Sequence, residues 1–126
     1  MAFKSIATGL QHIGLPTNDY DKTVAFYTAL GFEVAFETVN NGEKVAFLKL
    51  GDLVFETYQN FKAVHMTGAV DHVAINVTDV EEARRIADRM NLNVIEEGQL
   101  PFWENGVKYF TILGPNDEKI EFNQYL

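Results

Sequence analysis

Two stretches of this sequence decide its architecture: LQHIGLPTNDYDKTVAFYTALGFEV (residues 10–34) and VDHVAINVTDVEEARRIADRMNLNV (residues 70–94). Shifted by sixty residues, they align without a gap. His12 falls on His72, Asp19 on Asp79, Phe26 on Ile86, Leu30 on Met90 and Val34 on Val94. Few residues are identical, yet apolar and turn positions agree almost throughout, as two copies of one supersecondary unit require.

Each copy opens with an alternating strand, Leu10–Pro16 and Val70–Val77. A helix follows. Thr78 and Glu81 form a capping-box pattern before the second helix, and Asn18, Asp19 and Asp21 make an acidic start to the first. Val80, Ala83, Ala87 and Met90 line one face of the second helix, with the run EEARR (81–85) as a solvated face; Tyr20, Val24, Tyr27 and Leu30 match them in the first. Gly31 and Asn91 stand where a left-handed residue ends a helix. Three more strands complete each copy: Glu33–Thr38, Lys44–Leu50 and Leu53–Tyr58, then Val94–Glu97, Val107–Leu113 and Lys119–Gln124. The turns are NNG (40–42), GD (51–52) and GPND (114–117), and a longer loop, GQLPFWENG (98–106), distinguishes the second copy. The expectation is an α+β fold of two βαβββ modules, residues 10–58 and 70–125, joined by a linker at 59–69 within one domain of 126 residues.

Strand alternation then sorts side chains by face. Ile13 and Leu15 point toward the helix and His12 away from it; Val73, Ile75 and Val77 point toward the helix and His72 away. Glu56 with Tyr58, and Glu121 with Asn123, occupy the face opposite the helix on the last strand of each module. A lone strand histidine is most often a hydrogen-bonded packing residue, and a lone glutamate a solvated edge charge. Recurrence of both at matched positions favours a metal site of two imidazoles and two carboxylates, a mixed N/O set suited to a divalent first-row ion.

Composition excludes other classes. A net charge of −8 without a basic cluster argues against a nucleic-acid partner. The absence of cysteine removes disulfide and thiolate chemistry. No apolar run approaches ~18 residues, so no membrane span is expected, and MAFKSIATGL lacks the apolar core of a signal peptide. The expectation is a soluble, cytoplasmic protein.

The pieces QHIGL, AFYTALGFEV, VFETY, DHVAINV and GPNDEKIEFNQ resemble the vicinal oxygen chelate superfamily, which includes glyoxalase I, bleomycin-resistance proteins, extradiol dioxygenases, fosfomycin-resistance enzymes and methylmalonyl-CoA epimerase. The resemblance runs from about Leu10 to Tyr125. It implies paired modules curled into a cup of mixed sheet with helices outside. It also implies one divalent ion (Ni, Zn, Co or Mn) on His12, Glu56, His72 and Glu121, and a homodimer. The complete ligand set looks most like glyoxalase I, implying a proton shift through an enediolate on a small α-hydroxycarbonyl or hemithioacetal. Glu121 would be the first catalytic base and Glu56 the second. Asn60 matches a family position that contacts the glutamyl group of glutathione. Pro16, however, stands where that family carries an arginine for a glutathione carboxylate, and LPFWENG replaces the loop that holds the glycine end. Both departures argue against glutathione as the thiol. Two alternatives stay open: a non-catalytic, ligand-sequestering protein of the bleomycin-resistance kind, and an epimerase. Phe102 and Trp103 read either as a substrate lid or as an aromatic clamp packing their loop. Tyr58 and Asn123 read as substrate-orienting groups or as polar filler. His65 reads as a linker or interface residue.

Overall fold

The computed structural model of the protein describes residues 3–126. After a 3-10 turn at Phe3–Ser5 come β1 (Ile13–Pro16), α1 (Tyr20–Leu30), β2 (Glu33–Asn40), β3 (Glu43–Leu50) and β4 (Leu53–Tyr58). The order repeats as β5 (His72–Asn76), α2 (Val80–Arg89), β6 (Asn93–Leu100), β7 (Val107–Leu113) and β8 (Lys119–Tyr125). The chain divides into two compact units between Ala63 and Val64, inside the expected linker. Each holds one four-stranded mixed sheet and one helix. The strand orders are β1-β4-β3-β2 and β5-β8-β7-β6, with the first strand parallel to the last and the other pairs antiparallel. The α+β class and the doubled βαβββ unit are as expected. Among the described residues, no helix is long and apolar enough to cross a membrane.

The same local chemistry builds both units. Asp19 and Asp79 are the N-caps, their carboxylates accepting from the backbone N–H of Lys22 (3.1 Å) and Glu82 (3.0 Å). A second side chain reaches each helix start from the end of the sheet. Gln59 Oε1 accepts from Tyr20 N, and Gln124 Oε1 from Val80 N, both at 2.8 Å. Gly31 (φ 109°) and Asn91 (φ 54°) adopt the left-handed conformation past the helix ends. Register breaks by one residue between Val34 and Phe36, and again between Val94 and Glu96.

Three expectations need correction. The second helix is capped by Asp79 and not by Thr78 with Glu81; the carboxylate one residue later meets the free N–H groups. The segment 98–106 is only partly loop, because Gly98, Gln99 and Leu100 continue pairing with Tyr109, Lys108 and Val107. Six residues (101–106) then turn where 41–42 suffice in the first unit. Accordingly, equivalent positions are offset by 60 at Val34/Val94, by 64 at Leu48/Ile112 and by 65 at Phe55/Ile120. Nor is EEARR simply solvated: Arg84 lies 5.8 Å over the Phe110 ring and donates through Nε to Glu97 (2.8 Å).

The core of the first unit is Tyr27, Phe32 and Phe55, with ring centroids 5.2–5.6 Å apart, backed by Leu48. That of the second is Phe110, Ile112 and Ile120, closed by Val80 and Ala87 of α2. Both cores lie on the helix-facing side of their sheets, which leaves the opposite face to carry chemistry.

Candidate metal and substrate site

The parallel pairing of first and last strands brings His and Glu together in each unit. Gly14 is in register with Glu56, and Ala74 with Glu121, so each glutamate sits two residues along from a histidine on the same face. His12 Nε2 lies 3.5 Å from Glu56 Oε1, and His72 Nε2 lies 3.8 Å from Glu121 Oε1. The other ring nitrogen is engaged both times: Nδ1 is 2.9 Å from Gln11 Oε1 in His12 and 3.0 Å from Asp71 Oδ2 in His72.

Each His–Glu pair has the spacing of two ligands to one divalent ion. The Nε2–Oε1 separations exceed an ordinary hydrogen bond. They are close to the ~3–3.5 Å expected of two donors bonded to one ion at ~2.0–2.2 Å. A Glu side chain 15% exposed beside a His 44% exposed leaves an open approach. Each unit holds one such His–Glu pair, and among the described residues no group of three or more His, Cys, Asp or Glu that could hold a metal ion is gathered.

The first pair has aromatic neighbours. Phe47 meets His12 edge-on at 5.7 Å. Tyr58 lies across Gly14, where a Cβ would come within 3.1 Å of the phenol oxygen, so the glycine gives that ring room to cross β1 beside Glu56. The second pair opens onto a cavity of about 380 Å³ that also takes in Asn123, Phe102, Tyr109 and Lys119. Asn123 donates to Glu121 Oε2 at 3.0 Å. Tyr109 donates to Glu96 at 2.5 Å, and that bond pushes the phenol pKa up, keeping it protonated. The His72 hydrogen bond holds the Asp71 carboxyl below its usual range, with Lys119 Nζ, 3.4 Å away, adding to the effect.

A backbone of this kind, with a His and a Glu on matched strands of a doubled unit, invites comparison with known proteins. The family model of the Glyoxalase/Bleomycin resistance protein/Dioxygenase superfamily matches residues 9–122. The chain belongs to that superfamily. It is 31% identical over 126 residues to the uncharacterized protein YwbC of Bacillus subtilis (strain 168), covering 94% of this chain and 99% of that one. Lactoylglutathione lyase from Agrobacterium tumefaciens superposes with a TM-score of 0.72 at 20% identity, covering 94% and 95% of the two chains. The fosfomycin resistance protein FosX from Listeria monocytogenes, complexed with Mn(II) and sulfate, superposes with a TM-score of 0.75 at 16% identity, covering 96% and 95%. At these identities the two structures speak for the fold alone.

The remaining expected residues of this superfamily member divide. Phe102 and Asn123 share the second cavity with His72 and Glu121. Trp103, 76% exposed with φ 62°, is not part of that lining; it meets Tyr125 edge-on at 5.8 Å and lines a neighbouring hollow with Pro101 and Glu104. The clamp reading therefore suits Trp103, and Phe102 retains the other. Asn60 Oδ1 accepts from Lys62 N at 3.0 Å, shaping the turn after β4. His65 pairs with Asp117 at 2.8 Å within the second unit. Sequence reading passed over Gln11, Asp71, Glu96, Tyr109 and Lys119. A signal existed for the first two: the sixty-residue shift aligns one hydrogen-bond acceptor immediately before each histidine.

Proposed function

We propose that the protein is a metal-dependent, glyoxalase I-like lyase or isomerase. It would catalyse a proton shift through an enediolate on a small α-hydroxycarbonyl or hemithioacetal. The observation that supports this reading is the repeated His–Glu pair whose imidazole is tied at Nδ1 and presents Nε2 to the carboxylate. The ligands are His12, Glu56, His72 and Glu121, taking Ni, Zn, Co or Mn, and the protein works as a homodimer. When bound, the ion supplies Lewis-acid stabilisation for negative charge developing on two vicinal substrate oxygens. Glu121 is the base that takes the proton from one carbon and returns it to the next, with Glu56 as the second candidate. Asn123 holds Glu121 Oε2 and orients the carboxylate, while Phe102 excludes water at one wall of the cavity. Pro16 offers neither charge nor N–H where glutathione would need a cation, so the thiol portion differs from glutathione.

Elemental analysis of the purified protein is expected to find about one metal per four-ligand site, by ligand count. His72→Ala is expected to lose it, and full metal content in that variant would sink the proposal. Chelator-sensitive solvent deuterium incorporation into a candidate substrate tests turnover.

A second reading, capture of a cationic ligand without turnover, draws on the three carboxylates (Asp71, Glu96, Glu121) that face the second cavity against one lysine. Under that reading ligand binds but no deuterium enters, with or without chelator.

A further inference from the structure

The sixty-residue repeat places Asp71 where the first unit has Gln11, and both side chains meet the Nδ1 of the histidine that follows. The two partners are not equivalent. A glutamine amide presents an acceptor at one end and a donor at the other, so it satisfies either tautomer of a neutral ring by rotating. An ionised carboxylate only accepts, so the ring nitrogen facing it has to carry the proton. Asp71 is itself anchored. Its Oδ1 lies 3.4 Å from Lys119 Nζ, on the strand residue in register with His72. The first unit has Val54 at the corresponding place on β4, so His12 lacks a comparable carboxylate–lysine support.

We propose that Asp71 is a positioning residue that locks His72 in the Nδ1–H tautomer and so presents its Nε2 lone pair to Glu121 and to the cavity. The Lys119–Asp71–His72 chain spans β8 and the start of β5, so the imidazole is fixed by the same strand pairing that delivers Glu121. An anionic partner at Nδ1–H also makes Nε2 a better donor to a cation than a neutral amide does. The second unit's pair is thereby the stronger half of the ligand set, and His12 with Gln11 the more adaptable half. This consequence for affinity rests on the metal reading given above. The tautomer does not, because it is a property of the metal-free protein.

The test uses full-length protein labelled with nitrogen-15 histidine, stripped of metal and held at about pH 8, where an ordinary imidazole is neutral. Long-range proton–nitrogen spectra report which ring nitrogen is protonated, and His72→Ala identifies the His72 signals. In the wild type His72 is expected as the Nδ1–H tautomer. Asp71→Asn, whose amide can turn either its oxygen or its NH2 to the ring, and Asp71→Ala are both expected to give mixed tautomers. Zinc affinity, measured by chelator competition, is expected to fall roughly 10- to 100-fold in Asp71→Ala, and less in Asp71→Asn. An unchanged Nδ1–H pattern in Asp71→Ala overturns the assignment. A mixed-tautomer Asp71→Ala that binds zinc as tightly as wild type supports the lock and overturns its consequence for affinity. A wild type that binds no metal, with tautomers still governed by Asp71, sinks the metal reading and leaves the positioning role supported.

Discussion

His72 sits in an apolar alternating strand that needs no imidazole for packing, and its surroundings show what that residue is set up to do. One ring nitrogen is held by Asp71 and the other is aimed at Glu121, whose second oxygen is held by Asn123. Both members of the pair are thus held by a neighbouring side chain. Glu121→Gln preserves this shape but removes the carboxylate proposed as the base. Deuterium exchange into substrate is expected to fall by about 10²-fold or more, and exchange persisting at the wild-type rate would move the base to Glu56. The histidines and glutamates were legible in sequence because a repeat turns two unremarkable residues into a pattern. Asp71, Gln11 and Lys119 were harder to read. Their role depends on side-chain reach across a strand or along the backbone, which alternation does not encode.

Helix boundaries show competition between nearby groups. Thr78 and Asp79 can both cap a helix, and the carboxylate takes the position, as Asp19 does in the first unit. Asp79→Ala is expected to cost about 1 kcal/mol, and Thr78→Ala well under that, in paired denaturant titrations. Comparable losses would restore the capping box. At the start of α1, Tyr20 donates to Glu37 of β2 (3.1 Å) and lies under Lys44 Nζ (5.6 Å to the ring centroid). Burial, and then the Glu37 hydrogen bond, push its pKa up to about 12. A raised folded-state pKa means that this contribution to stability is complete below the phenol's ordinary value of 10 and is lost as pH climbs toward 12. Tyr20→Phe is therefore expected to flatten the decline of stability over that interval, with ultraviolet titration locating the late phenol. Strand β6 was underestimated because Gly98 and Gln99 look like loop residues; pairing with Tyr109 and Lys108 overrides that preference.

On the scale of the molecule, each of two units with its own core carries one His–Glu pair. An ion bound only by the folded protein links its loading to stability by mass action. At free ion about 100 times its dissociation constant the gain is ~2.7 kcal/mol. For a chain of this length that corresponds to a rise in Tm on the order of 10 °C. Scanning calorimetry with and without chelator reads it directly. The rise is expected to shrink sharply in a Glu56→Gln, Glu121→Gln double variant, and an equal rise there would place the ion elsewhere.

The sequence by itself determined the doubled βαβββ order, the helix-facing apolar positions and the His and Glu on the opposite face. All of these follow from periodicities local to each strand or helix and from a sixty-residue self-match. Only the tertiary structure decided that β1 pairs in parallel with β4 and β5 with β8, because strand partnership depends on contacts between residues far apart in the chain. That pairing sets each histidine within reach of its glutamate. It also sets Lys119 beside Asp71 and brings Gln59 and Gln124 behind the helix N-termini.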